Sequence, residues 1–204
     1  MRHPSRYCGS MVGIKKPEGE RRSDIIRAAK SVALNGGVES VTVRTVAAEA
    51  GLSIGLVYFY YDSKEGLLQA LLTRLLETTL DGPPPGFGEN LRPAAALNAM
   101  MAEELEGLQT QRGEVDLIFQ FYFARHADEF RSPINTALDE YAARMEPVAA
   151  RLSDAAGLEP GALRSVLASL IYGAAMDVVR RPEDFSAARL LGVVSGLAAS
   201  VAPR

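Results

Sequence analysis

From residue 21 onward, apolar residues recur at the three- and four-residue spacing of an α-helix, as Ile25, Ala28, Ala29 and Val32 show in the first such segment. No run of strict two-residue alternation is long enough for a β-strand. The chain has 204 residues, of which 48% are apolar and 23% charged, so it can bury a sizeable core. We therefore predict an all-α fold.

One segment predicts two short helices joined by a tight turn. Thr42 can cap a helix that runs to Ala50, and Ser53 can cap the next one, because a hydroxyl oxygen accepts hydrogen bonds from the backbone N–H groups of a first turn. Only Gly51 and Leu52 separate the two helices. The chain must therefore turn sharply between them, as in a helix-turn-helix.

Other helix boundaries follow from capping residues and prolines. Asp62 or Ser63 begins the helix after the tight turn, with the spacing of a capping box. Ser132 and Pro133 are typical of a cap followed by a first-turn proline, and Pro147 should kink the helix that they begin.

The chain divides into three parts. Residues 1–20 lack periodicity and are expected to form a flexible arm. Residues 21–66 hold the short helices, and residues 67–204 hold the longer ones. The run of prolines and glycines at 81–86 must end a helix, and it is the most plausible place for a domain boundary.

Composition excludes several classes of protein. Cys8 is the only cysteine, so neither an intrachain disulfide nor a thiolate zinc site can form. The N-terminus lacks the apolar stretch of a signal peptide, and the longest uncharged stretch, residues 190–203, is too short to span a bilayer. We expect a soluble, cytoplasmic protein with no cofactor, no metal and no membrane partner.

Charge is distributed unevenly along the chain. Residues 1–80 contain 11 Lys and Arg against 8 Asp and Glu, whereas residues 81–204 contain 11 against 17. A polyanionic partner is therefore expected to meet only the first part of the chain.

The segment from Thr42 to Leu68 resembles the DNA-binding domain of TetR-family transcriptional regulators. The matching positions are Val46-Ala47, Ala50-Gly51-Leu52-Ser53, Gly55, Val57-Tyr58, Tyr60-Tyr61 and Lys64. With the first helix, the resemblance covers about residues 21–70. It implies a helix-turn-helix DNA-binding domain over residues 21–66 and a helical effector-binding and dimerisation domain over residues 67–204.

A helix of about two turns after a tight turn fits a DNA major groove, where its N-terminal residues can reach base edges. The candidate DNA-binding residues are Thr42, Arg44, Ser53, Ile54, Gly55, Leu56, Tyr58, Tyr60 and Lys64.

The chemistry of these residues divides their roles. The Arg44 guanidinium suits guanine or phosphate, and the hydroxyls and Lys64 suit phosphate oxygens. The resemblance implies that Arg44 and residues 54–56 face bases, whereas Tyr58, Tyr60 and Lys64 face the backbone. Because the family often has Thr where this chain has Leu56, thymine methyl groups or DNA shape should carry more of the specificity.

The same segment also has structural interpretations. The aromatic run 58–61 could form a small core; we expect this of Tyr61, together with Val46 and Val57, and favour DNA contact for Tyr58 and Tyr60. The basic residues at 15, 16, 21 and 22 could follow a minor groove or could simply be solvated.

The second part offers residues for a ligand and for a second subunit. Met and aromatic side chains pack cores but also line sites for apolar molecules. The candidate ligand-binding residues are Met101, Phe119, Tyr122, Phe123, His126, Tyr141, Met145, Tyr172 and Met176. The last two helices are apolar and rich in small residues, which allow close helix approach. The candidate dimer interface is Leu167, Leu170, Ile171, Ala174, Leu191, Val194, Leu197 and Ala198.

These features predict a homodimeric repressor that binds an inverted repeat in double-stranded DNA and is released by a small apolar effector. The alternative is an all-α carrier or helical enzyme with an incidental helix-turn-helix. Gly51 to Gly55 has the spacing of a hydrolase nucleophile elbow, but a helix rather than a strand precedes it. His126 and Glu129 have the spacing of one metal-ligand pair, yet no second pair exists. We therefore expect no enzyme activity.

Overall fold

The computed structural model describes residues 17–80, 91–124 and 128–201. Within them the chain is helical, without a β-strand, which confirms the predicted all-α class. The helices are α1 (Glu18–Gly36), a 3₁₀ turn (Val38–Ser40), α2 (Val43–Ala50), α3 (Ile54–Tyr61), α4 (Lys64–Thr79), α5 (Pro93–Thr110), α6 (Arg112–Phe123), α7 (Asp128–Ala143), α8 (Glu146–Ala156), α9 (Pro160–Arg180) and α10 (Ala187–Val201).

The first four helices pack around one apolar core. Ile25 of α1, Val46 of α2, Val57 of α3 and Leu71 of α4 are all fully buried in it. Six leucines of α4 lie in this core, and each contributes about 1.5–3 kcal/mol by leaving water. Packing on α1 and α4 therefore holds the two short helices, which would not persist in isolation.

The same core continues into the second part of the chain. Leu117 and Phe121 of α6 and Phe130 and Ile134 of α7 are buried in it. A boundary after residue 66 would fall inside α4, whose leucines join the two parts. The predicted boundary at 81–86 lies outside the described residues, as does most of the predicted arm, although α1 already begins at Glu18.

A second core lies among α5, α7, α8, α9 and α10. Its side chains include Met100, Met101, Leu105, Ala149 and Ile171. The helix α5 packs on α8, α9 and α10, so it lies at the centre of this half.

Prolines affect the two middle helices differently from what capping rules predict. Pro133 lies inside α7, which begins five residues earlier at Asp128, so the predicted start at Ser132 is wrong. Pro147 lies in the first turn of α8, where its missing N–H leaves no helical carbonyl unpaired. The predicted kink is thus a complete break between α7 and α8.

Among the described helices, α9 is long and apolar enough to cross a membrane by length and composition. Core helices of folded domains pass the same test. One side of α9 is buried in the second core through Leu167, Ile171 and Ala174.

Candidate functional site

The helix α3 projects an exposed apolar and aromatic surface. Ile54 is 46% exposed, Tyr58 48% and Phe59 74%, whereas Val57 is fully buried. Gly55 is also exposed, and a Cβ added there would meet no atom within 4 Å. The N-terminal half of α3 is therefore open to a large partner, as a DNA-reading helix requires.

Side-chain caps define where α2 and α3 begin. Thr42 Oγ1 accepts a hydrogen bond from Thr45 N at 3.1 Å, and Thr45 Oγ1 accepts one from Thr42 N at 2.9 Å. Ser53 Oγ accepts from Leu56 N at 3.2 Å. The predicted caps are confirmed. Both capping oxygens already accept backbone N–H groups. The Ser53 hydroxyl retains a proton that it can donate to a phosphate oxygen, whereas Thr42 Oγ1 lies within hydrogen-bond distance of Thr45 Oγ1, at 3.0 Å.

The tight turn depends on Gly51. Its φ of 65° and ψ of 34° lie in the left-handed region, which glycine adopts at little cost. The Leu52 N–H donates to the Ala47 carbonyl at 2.9 Å and closes the end of α2. Because only two residues separate the helices, α3 must leave α2 at a sharp angle.

A second close approach sets the corner between α3 and α4. Ser63 caps α4, its Oγ accepting from Gly66 N at 2.9 Å. A Cβ at Gly66 would lie 2.5 Å from the Tyr61 carbonyl oxygen, closer than real Cβ atoms approach backbone. Glycine at this position therefore allows the end of α3 to rest on the first turn of α4.

Arg22 of α1 joins this corner to the rest of the domain. Its Nη1 donates to the Tyr60 carbonyl at 2.9 Å, and the Tyr61 hydroxyl donates to the Arg22 carbonyl at 3.1 Å. The guanidinium lies 5.4 Å from the Tyr60 ring centre and 5.7 Å from that of Tyr61. Burial raises the pKa of the Tyr61 hydroxyl, which keeps it protonated as a donor. Arg22 thus braces α3 and α4 against α1.

Two of the predicted cationic residues lie at helix N-termini beside α3. Arg44 is exposed in the first turn of α2, and half-buried Lys64 is the first residue of α4. Neither forms an ion pair with another described residue under a 4.0 Å limit. Positive side chains at helix N-termini, next to free backbone N–H groups, suit phosphate oxygens.

The remaining predicted residues of α3 divide between surface and support. Leu56 and Tyr60 are half-buried, and the Tyr60 ring packs edge-on against Phe59 at 5.3 Å. Phe59 is the most exposed large apolar side chain in the described chain, and it is absent from the predicted contacts. The sequence did contain a signal for it. Phe59 lies four residues after Gly55, so the two residues share a face of α3, and Gly55 was already a candidate for DNA contact.

A cavity of about 240 Å³ lies among α4, α5, α6, α7 and α9. Five predicted ligand residues line it: Phe119, Tyr122, Phe123, Tyr141 and Tyr172. Met101 and Met145 are instead buried in the second core, and Met176 does not line the cavity. The structure thus places these three outside the cavity lining, a distinction that helical spacing does not make. His126 lies outside the described residues.

Polar groups of the cavity cluster at one carboxylate. The Tyr141 hydroxyl donates a hydrogen bond to Glu104, and the Tyr172 hydroxyl donates to the Leu138 carbonyl at 2.9 Å. Burial raises the pKa of Glu104, an effect partly offset by Tyr141 and Arg144. The predicted residue set lacks Glu104, because a single Glu in an amphipathic helix looks like ordinary surface.

The predicted dimer interface points partly inward. Its members Leu167, Ile171, Ala174, Val194 and Ala198 are buried in the second core, Leu170 and Leu191 are half-buried, and Leu197 is exposed. A side chain buried within a subunit offers no surface to a partner, so these five residues are covered before any second subunit binds.

Other apolar residues of α9 and α10 are exposed. Val166 is 60% exposed, Val193 59% and Leu197 62%. Gly173 and Gly196 are exposed too, and a Cβ at either would meet nothing within 4 Å. Large apolar side chains beside glycines allow another helix to approach closely.

The helix α6 connects the cavity with the N-terminal helices. Ile118 and Phe119 line the cavity. On another face, Gln120 Oε1 accepts from the Val38 N–H at 2.9 Å, and Glu114 pairs with Lys30 of α1 at 2.8 Å. One rigid element therefore touches both regions.

Comparison with known proteins identifies the N-terminal region. Residues 25–71 match the family model of bacterial regulatory proteins, tetR family. The N-terminal domain of the chain therefore matches the TetR family. The match contains the two short helices and the exposed face of α3, so the resemblance read from Thr42 to Leu68 is confirmed.

Relatives of this chain are named regulators. It is 40% identical over 62 residues to the HTH-type transcriptional regulator BetI of Stenotrophomonas maltophilia, covering 30% of this chain and 32% of BetI. It is 25% identical over 174 residues to the regulator PksA of Bacillus subtilis, covering 81% and 83%. The match to BetI thus spans about a third of that protein.

The fold extends over most of the chain. A crystal structure of a transcriptional regulator from Rhodococcus sp. Rha1 superposes with a TM-score of 0.70 at 22% identity, covering 88% of this chain and 95% of the other. The second helical domain therefore shares its fold with this regulator, while its ligand has to be argued from its own residues.

Proposed function

We propose that this protein is a homodimeric DNA-binding transcription regulator of the TetR family, a repressor released from its operator when a small molecule fills the cavity. The observation that carries the proposal is the exposed N-terminal half of α3, which stands on a buried support and is flanked by Arg44 and Lys64.

The chemistry of α3 supports major-groove binding. Ile54, Gly55 and Leu56 occupy its first turn, where side chains of a docked helix reach base edges. None carries a hydrogen-bonding side chain, so specificity rests on apolar contact with thymine methyl groups, on Arg44 and on DNA shape. Tyr58 and Lys64 then face phosphates and set the position on the duplex.

A second copy of the chain would cover the exposed face of α9 and α10. Two-fold symmetry would then place two α3 helices about 34–36 Å apart, one turn of the duplex, so the operator is an inverted repeat. Replacing both Val166 and Val193 by Arg should give a monomer in sedimentation velocity. Leu158→Arg, at an apolar position that is 47% exposed outside this face, should leave the dimer intact. A double variant that stays dimeric would contradict the proposed interface.

The contacts of α6 support a route from cavity to DNA. A ligand that displaces Ile118 or Phe119 must move α6, and with it the hydrogen bond from Gln120 to the turn after α1. A coupling of about 1–3 kcal/mol would change operator affinity by about 5- to 150-fold.

The proposal is tested by selecting DNA duplexes that the protein binds from a random pool. The affinity of the protein for the most enriched duplex is then measured at several salt concentrations. Lys64→Ala should weaken binding to selected and scrambled duplexes alike, and should lower the salt slope by about one per subunit. Arg44→Ala should also reduce the preference for the selected duplex if Arg44 reads a base.

Arg74→Ala removes the same charge from an exposed position on α4 and serves as the matched control. Failure to enrich any duplex, or equal effects of Lys64→Ala and Arg74→Ala, would refute the proposed DNA interface.

A further inference from the structure

The cavity has a charge of one sign only. Of the described residues that line it, Glu104 is the one with an ionisable acidic side chain, and none is Lys, Arg or His. The other lining residues are mostly apolar or aromatic. A ligand in this space therefore meets a single carboxyl group surrounded by hydrocarbon.

Compensation for the Glu104 charge comes from the Tyr141 hydroxyl and, through space, from the Arg144 guanidinium, which together offset only part of the effect of burial. The Glu104 carboxylate accepts a hydrogen bond from the Tyr141 hydroxyl and forms no ion pair with another described residue under a 4.0 Å limit. The nearby Arg144 guanidinium lies 5.0 Å from the Tyr141 ring centre and donates to the Leu80 carbonyl. A half-buried carboxylate with one donor retains unused acceptor capacity, and a cation would supply what is missing.

The aromatic side chains that line the cavity also favour a positively charged ligand. The Tyr141 and Tyr172 ring centres lie 6.4 Å apart, and Phe119 stacks on Phe123 at 6.3 Å. The face of an aromatic ring carries negative electrostatic potential and attracts ammonium groups, most strongly where water is excluded. Carboxylate and rings together select a positive group attached to an apolar body.

We propose that the effector of this protein is an apolar molecule carrying one basic or quaternary nitrogen, which is held against Glu104 among the rings of Tyr141 and Tyr172. An anionic ligand would place a second negative charge beside Glu104, and a neutral hydrocarbon would leave the carboxylate with only the partial compensation that Tyr141 and Arg144 provide. The inference rests on the proposed function only in calling this ligand an effector.

The test is calorimetric titration of the full-length protein, without DNA, with three small probes. Benzyltrimethylammonium carries a permanent positive charge, neopentylbenzene is its uncharged carbon isostere, and phenylacetate is an anion. We expect the cation to bind at least about tenfold more tightly than the isostere, and phenylacetate to bind most weakly. This comparison uses the unmodified protein, so it does not depend on the folding of a variant.

Variants then locate the charge. Glu104→Gln should weaken benzyltrimethylammonium binding by about tenfold and change neopentylbenzene binding by less than about threefold. Glu106→Gln removes another exposed carboxylate of α5 and should change neither.

The inference is overturned if neopentylbenzene or phenylacetate binds as tightly as the cation, if no cation binding is detected up to about 5 mM, or if Glu104→Gln and Glu106→Gln behave alike. Because no DNA is present, a failure of operator binding would refute the proposed function and leave this result unaffected.

Discussion

The hydrogen bond between Gln120 of α6 and the turn after α1 should stabilise the junction between the two halves of the chain. Gln120 Oε1 accepts from the Val38 N–H at 2.9 Å, and Gln120 Nε2 donates to Asp116 at 3.0 Å. Gln120→Leu keeps the size of the side chain and removes both bonds. Val38 is half-buried, so its N–H would be left without its partner.

An unsatisfied buried N–H costs about 1–3 kcal/mol, and partial access to water places the expected loss at about 1–1.5 kcal/mol. The free energy of unfolding should fall by that amount in urea titrations followed by circular dichroism. Affinity for the selected duplex should fall by about fivefold, because the N-terminal helices must then be ordered on binding.

Gln109→Leu is the matched control, because Gln109 is exposed on α5. Its free energy of unfolding should stay within about 0.5 kcal/mol of the unmodified protein. If Gln120→Leu is no less stable than this control, the hydrogen bond makes no net contribution to the free energy of unfolding. If stability falls but operator affinity does not, α6 does not position the DNA-binding helices, and the proposed route from the cavity is refuted.

Three further outcomes follow from the same structure. Gly66→Ala should cost about 1–3 kcal/mol of unfolding free energy in urea, because its Cβ would collide with the Tyr61 carbonyl. Gly55→Ala should gain about 0.5–1 kcal/mol in helix propensity yet weaken operator binding about fivefold, since the added methyl group would meet no protein atom within 4 Å and would lie in the proposed DNA interface; unchanged affinity would remove Gly55 from the proposed interface. Glu104→Gln should raise the melting temperature at about pH 7 and have little effect near pH 4. Burial raises the pKa of Glu104, so the folded state binds the proton more tightly and the unmodified protein loses stability as pH rises through that pKa; a gain that is independent of pH would contradict this explanation.

Local chemistry made the N-terminal domain predictable. The caps at Thr42 and Ser53, the left-handed Gly51 and the start of α4 at Ser63 each depend on residues within one helical turn. Such interactions join residues that are close together in the sequence, so the spacing of residue types is enough to locate them.

Predictions of which face of a helix is buried and which is exposed were less accurate. The helix α3 carries apolar or aromatic side chains all round, so its sequence does not reveal that Val57 is buried while Phe59 is 74% exposed. The same ambiguity placed Ile171 at the dimer interface and Met101 at the ligand, whereas both lie in the second core.

By itself, the sequence determined the helical class, the tight turn between α2 and α3, and the cationic residues beside them, because these depend on neighbours a few residues apart. Only the tertiary structure decided which face of each helix is buried. It also brought Glu104 of α5 to Tyr141 of α7 and Gln120 of α6 to Val38 after α1. The physical reason is that packing joins residues far apart in the chain, and helical periodicity does not identify the neighbour against which an apolar face will pack.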